Sequence, residues 1–146
     1  MTRVDPVRRV LSLPRSVKAV MKVPTARILV IDDDPAVVDT LVTLLGEDGY
    51  GISSAVTSDE GLKLFILSQP DLVLLDIALP GMNGIDMLKR IRSIAPTARV
   101  VMVSGTADVM LARQALELGA LAYVDKPFDL AYLKRVVAIA LQDKSA

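Results

Sequence analysis

The sequence contains no cysteine and no histidine. The first absence excludes disulfides, thiolate nucleophiles and zinc sites of the cysteine type. The second excludes histidine triads, imidazole metal ligands and an internal phosphohistidine. Aromatic residues make up only 3% of the chain and tryptophan is absent, so a core must be built from Val, Leu, Ile, Ala and Met. No apolar run approaches the roughly 20 residues needed to cross a bilayer. Pro6, Pro14, Arg15 and Lys18 break the N-terminal stretch before it reaches the length of a signal-peptide core. A soluble, cytoplasmic protein with no membrane span is the expectation, and its chemistry falls to carboxylates, amines and hydroxyls.

What is present is 146 residues, enough for one domain that buries roughly two-thirds of the surface its unfolded chain exposes. A hydrophobic share of 52% with 23% charged residues is that of a globular protein. The net charge of zero conceals an asymmetry. Residues 1–26 carry Arg3, Arg8, Arg9, Arg15, Lys18 and Lys22 against Asp5, for +5, and the other 120 residues carry −5. An acidic body argues against direct nucleic acid binding, because phosphate contacts need clustered Lys and Arg. Residues 1–26 read as a basic, flexible extension and residues 143–146 as a tail. Within the extension Val4, Val7, Leu11, Val17 and Met21 fit one face of a basic helix that Pro6 and Pro14 weaken. Such a helix would suit a membrane surface or an acidic partner, and a chain starting at Met21 would keep everything that follows.

From Arg27 onward, apolar runs alternate with amphipathic stretches. Residues 28–31, 51–56, 72–75, 100–103 and 121–124 read as strands, the first with the continuous β-branched pattern of a strand buried on both faces. A helix follows each. The first is capped by Asp34 with Pro35 at its first position, runs through Leu41, Leu44 and Leu45, and stops near Gly49. Ser58 caps the second, with Leu62, Phe65 and Ile66 inward. The third, after the turn-rich residues 80–84, carries Ile85, Leu88 and Ile91 and is ended by Pro96. The fourth covers 107–118 and stops at Gly119. The fifth covers 129–142, with Leu130, Leu133, Val136, Val137 and Ala140 inward. This alternation specifies an α/β fold, a doubly wound five-stranded parallel sheet with helices on both faces. The flavodoxin-like strand order 2-1-3-4-5 is its natural topology.

Ligands of such sheets bind outside the carboxyl ends of the strands, where the strand order reverses. Strand one ends in Asp32, Asp33 and Asp34, strand three in Asp76, strand four in Ser104, and strand five in Asp125 and Lys126. Asp34 reads as a helix cap. The other carboxylates cannot all stay ionised at close range without a cation or a proton. Mg²⁺ answers that need, since it favours a few carboxylate oxygens together with water and a phosphoryl oxygen. Lys126 adds a mobile positive charge, and the Ser104 hydroxyl can donate to a phosphoryl oxygen. Asp76, alone at its strand end, is the candidate to attack phosphorus and become an aspartyl phosphate.

The string Ile28-Leu29-Val30-Ile31-Asp32-Asp33-Asp34-Pro35 resembles the opening of a receiver domain of bacterial two-component response regulators of the chemotaxis-regulator type. Asp76-Ile77-Ala78-Leu79-Pro80-Gly81-Met82-Asn83-Gly84 is similar to that family's phosphoacceptor strand and loop, Ser104-Gly105 to its Ser/Thr position, and Lys126-Pro127-Phe128 to its lysine motif. The likeness covers about residues 27–142, and four motifs in order make it specific. It implies that Asp76 accepts a phosphoryl group from a histidine kinase or a histidine phosphotransfer protein. It further implies that Asp33 and Asp76 bind Mg²⁺ directly, with Asp32 acting through water and the Ala78 backbone carbonyl as another ligand. Ser104 and Lys126 would hold phosphoryl oxygens, Tyr123 would be the switch aromatic, and the Lys126–Pro127 peptide is often cis in the family. A homodimer through the last two helices and fifth strand is implied as one form of output, and Val109, Met110 and Leu111 lie near that face. Gly105 departs from the family's more frequent alanine. Ala78 leaves little bulk over the acyl phosphate.

The leading expectation is therefore a stand-alone phosphoacceptor in a phosphorelay, not an enzyme beyond its own phosphorylation and autodephosphorylation. The alternatives are a phosphorylation-independent interaction module and a receiver fragment of a larger transcriptional regulator or hybrid kinase. An aspartate-nucleophile phosphatase would need a second Asp two residues after the nucleophile, where this chain has Ala78. No G-x-G-x-x-G or Walker loop supports a nucleotide-binding reading.

Overall fold

The computed structural model describes residues 25–105 and 108–142. The expectations for residues 1–24 and 143–146 lie outside the described residues. Thr25 and Ala26, at the end of the expected extension, already join the domain: Thr25 N donates to Gly49 O (3.4 Å) and Gly51 N to Ala26 O (2.9 Å).

Five strands alternate with five helices: β1 (Arg27–Ile31), α1 (Pro35–Gly46), β2 (Gly51–Ala55), α2 (Ser58–Ser68), β3 (Leu72–Leu75), α3 (Gly84–Ile94), β4 (Val100–Ser104), α4 (Val109–Glu117), β5 (Ala122–Asp125) and α5 (Leu130–Gln142). The sheet is parallel throughout in the order β2-β1-β3-β4-β5, as the alternation predicts. Side chains alternate across it with the period of two that a pleated strand imposes. Leu29, Ile31, Val73, Leu75, Val100 and Met102 pack with Phe65, Leu88, Ile91 and Ala115 from α2, α3 and α4. Ile28, Val30, Leu72, Leu74, Val101 and Val103 pack with Leu41, Leu45, Leu133 and Val137 from α1 and α5. The residues of β3 and β4 are all buried, as are Ile28 to Ile31 of β1, whereas β2 and β5 at the sheet's edges are half-buried. Each fully buried Val, Leu or Ile contributes roughly 1.5–3 kcal/mol relative to exposure. The ends of β1, β3 and β4 therefore rest on the most heavily stabilised part of the molecule.

The helix starts are chemically explicit. Asp34 caps α1, accepting from Ala36 N (2.9 Å) with Pro35 behind it. Asn83 caps α3 by accepting from Asp86 N (2.9 Å), and Asp108 caps α4. Asp129 serves α5 in the same way, accepting from Tyr132 N (3.0 Å).

Three details correct the sequence reading. Ser58 does not cap α2: Thr57 does, its hydroxyl accepting from Glu60 N (3.2 Å), and Ser58 is the first helical residue. Ile66 is 53% exposed, because the inward face of α2 runs through Ser58, Gly61 and Phe65 and so turns Ile66 away from the sheet. Leu130 is 45% exposed, in the first turn of α5 ahead of the buried Leu133, Val137 and Ala140. Val109 and Met110 stand out from α4 as expected, while Leu111 packs against the core.

Candidate functional site

The sheet places its chemistry by register. Ile31 of β1 pairs with Leu75 of β3, so the residues after them, Asp32 and Asp76, emerge side by side. The ladder runs one step further and fixes both: Asp76 N donates to Ile31 O (3.0 Å) and Asp32 N to Ala55 O (3.1 Å). Oxygens of Asp32, Asp33 and Asp76 lie within 4.8 Å of one another. Asp32 and Asp76 are buried and Asp33 is exposed.

Lys126 arrives from the far side of the sheet. Ser104 ends β4 opposite Asp125 of β5, and Lys126 N donates to Ser104 O (2.9 Å). The Lys126–Pro127 peptide is cis. The Lys126 ammonium donates to Asp32 Oδ2 and to Asp76 Oδ2 (3.1 Å), bridging the ends of β1 and β3. The remaining carboxylate oxygens are also engaged: Asp32 Oδ1 accepts from Asp34 N (2.9 Å) and Asp76 Oδ1 from Ala78 N (3.1 Å).

Burial pushes the Asp32 carboxyl up from its ordinary value. The Lys126 bond and the Asp34 amide oppose that rise, and the charge of Asp76 adds to it. Burial alone would lower Lys126, but its bonds to Asp32 and Asp76 and their charges outweigh this and raise it. The lysine thus stays protonated between two acids. Tyr123 is raised chiefly by burial, with a side-chain hydrogen bond to Ser104 working against the rise. Ser104 is fully buried, so this bond joins the serine at the end of β4 to a half-buried aromatic of β5.

The structure therefore brings Asp32, Asp33, Asp76 and Lys126 together, links Ser104 to Tyr123, and ties Ala78 to Asp76 through its amide. The acidic cluster among the described residues offers oxygen donors, which fit a hard divalent cation and no soft one. Asp34, Asp108 and Asp129 are spent on helix caps instead. Two residues beside the site were given no part in it by the sequence reading. Gly84 is one: a Cβ there would stand 2.2 Å from Asp76 O and 2.4 Å from Ile77 Cα, so only glycine lets α3 start against the backbone of Asp76. Ser58 is the other, its buried hydroxyl meeting the loop after Asp76 at Met82 N (3.2 Å) and Pro80 O (3.5 Å). The signal in the sequence was the pair Thr57-Ser58, two hydroxyls where one cap is needed.

A family model described as the response regulator receiver domain matches residues 28–138. The chain is 34% identical over 119 residues to sporulation initiation phosphotransferase F of Bacillus subtilis, covering 82% of this chain and 96% of that protein. It is 40% identical over 119 residues to the regulatory protein AtoC of Escherichia coli, covering 82% of this chain but only 26% of that protein. A DNA-binding regulator, NtrC of Azospirillum brasilense, is matched over 25% of its length, so the expectation of no nucleic acid partner gains nothing from these relatives. Among solved structures, a CheY-like receiver domain protein from Methanospirillum hungatei superposes with a TM-score of 0.77 at 34% identity, over 80% of this chain and 93% of that one. A two-component response regulator from Clostridium difficile gives 0.79 at 27% identity, over 84% of this chain and all of that one.

Proposed function

The chain belongs to the response regulator receiver domain family of two-component systems, and on that premise we propose that Asp76 is its phosphoacceptor. The observation that carries this is the Lys126 ammonium held between Asp32 and Asp76, where the acids that follow β1 and β3 converge. An Asp76 carboxylate oxygen attacks phosphorus, the P–N bond of a phosphohistidine on a kinase or phosphotransfer protein breaks, and the imidazole leaves with its electron pair. Asp33, Asp76 and the Ala78 carbonyl would hold Mg²⁺ directly, with Asp32 acting through water. When bound, the metal neutralises charge developing on the transferring phosphoryl group.

Each remaining side chain has work to do at a stated atom. Lys126 Nζ already reaches an oxygen of Asp76 and exchanges its Asp32 contact for a phosphoryl oxygen once the dianion is present. The Ser104 hydroxyl donates to a second phosphoryl oxygen. Because Ser104 is bonded to Tyr123, re-aiming that hydroxyl releases the ring. The change is read on α4, β5 and α5, where Val109 and Met110 are exposed, as docking to a target or pairing of two copies. Ala78 and Gly105 are exposed and small, so water reaches the acyl phosphate and returns Asp76 to its free form. Acetyl phosphate with Mg²⁺ tests the reading: intact mass shows one phosphoryl adduct that requires the metal and is lost in Asp76→Asn. A wild-type protein that stays unlabelled while a known receiver is labelled contradicts it.

A further inference from the structure

The β3–α3 loop, residues 76–83, carries both Asp76 and Ala78, and most of it lacks secondary structure. Ile77 and Leu79 anchor it in the core with 5% and 7% exposure, leaving Ala78 between them at the surface. Its far end is closed by Gly84 N, which donates to Ile77 O (2.7 Å). Its middle, the turn at Gly81 with φ +84°, is held by a side chain from another segment, Ser58. The Ser58 hydroxyl accepts from Met82 N (3.2 Å), makes a longer contact to Pro80 O (3.5 Å), and would lie 3.5 Å from a Cβ on Gly81. Thr57 caps α2, so the Ser58 hydroxyl is released from that duty. At 4% exposure its bonds lie in a shielded setting, where they are stronger than in water.

We propose that Ser58 is a positioning residue for the metal-binding backbone of the site: it clamps the 80–82 turn to the start of α2 and thereby fixes the Ala78 peptide beside Asp76. This rests on the reading of Ala78 and Asp76 as metal ligands. A buried amide deprived of its acceptor seeks another, and the turn must shift to supply one. Ligands whose supporting bonds are removed lose metal affinity because their geometry is no longer held.

The test is Mg²⁺ binding by calorimetry on the unphosphorylated protein, with amide hydrogen exchange at Met82 as a second readout. Ser58→Ala weakens Mg²⁺ about tenfold and speeds exchange at Met82. Ser58→Thr, which keeps the hydroxyl, recovers most of both. Thr57→Ala, which removes the cap of the same helix without touching the loop, leaves Mg²⁺ affinity within about twofold and so separates positioning from lost stability. Unchanged affinity in Ser58→Ala, or equal weakening in Thr57→Ala, overturns the proposal. A wild-type protein that binds no Mg²⁺ defeats the metal-site reading instead. The exchange data then judge the clamp alone, with unchanged exchange at Met82 refuting it.

Discussion

Two loops leave adjacent central strands, each begins with a buried aspartate, and only the longer one needs support from a distant segment. The loop between β1 and α1 is three residues long and is held by its own neighbours: Asp34 N donates to Asp32 and Ala36 N to Asp34. The loop between β3 and α3 spans residues 76–83; it opens with the same local bond, Ala78 N to Asp76, and closes on Gly84, but its turn is held from a distance by Ser58 at the start of α2. Local bonds of the first kind follow from residue types a few positions apart. Those of the second kind exist only after the sheet has brought separate segments together. Lys126, from a third segment, ties the two loops to each other.

The longer loop is most vulnerable at Gly84. Any Cβ there meets backbone on both sides of the Asp76–Ile77 peptide, and backbone cannot swing aside as a side chain can. Gly84→Ala loses about 3 kcal/mol or more in urea denaturation, above the usual range for overpacking by one methyl group. Untying the two loops comes next. Lys126→Met leaves two buried carboxylates without their cation and costs about 2 kcal/mol in the metal-free protein, below the range for a fully buried pair because the lysine is partly exposed. Denaturation with millimolar Mg²⁺ present narrows that difference.

Breaking the local loop is milder. Asp34→Ala removes one cap and costs about 1 kcal/mol, with Asp76 still able to accept a phosphoryl group. The smallest effect comes from pH. Lys126 is raised above its ordinary 10.5 and Tyr123 above its ordinary 10.0. Both groups hold their protons more tightly when folded, so their stabilisation is whole below about pH 10 and fades as pH rises through the folded values. Metal-free protein loses stability across that alkaline window, and Lys126→Met flattens the slope. Asp32 is raised above its ordinary 3.8, so its protonation in acid favours the fold instead of opposing it.

The same division explains what could be read from the sequence. Residues 28–31, 72–75 and 100–103 are short continuous apolar runs, and strands covered on both faces have that composition. The residues ending them therefore share one edge of the sheet, because parallel strands put all their carboxyl ends there, and the structure gathers Asp32 and Asp76 at that edge with Lys126. The cap at Asp34 was legible for the same local reason, its acceptor lying two residues from the amide it serves. Ser58 was not, because its partners, Pro80 and Met82, lie 22 and 24 residues further on. Ile66 was misread because apolar spacing along α2 allows more than one inward stripe, and only packing against the sheet selects Phe65 and Gly61.

On the proposed function, Asp76 alone of the three converging aspartates takes the phosphoryl group. Hydride reduction of the labelled protein converts an acyl phosphate to an alcohol and marks the acceptor permanently. Peptide mass mapping then finds the reduced residue at position 76 and leaves Asp32 and Asp33 unchanged. Reduction at position 32 or 33 in place of 76 would contradict the account.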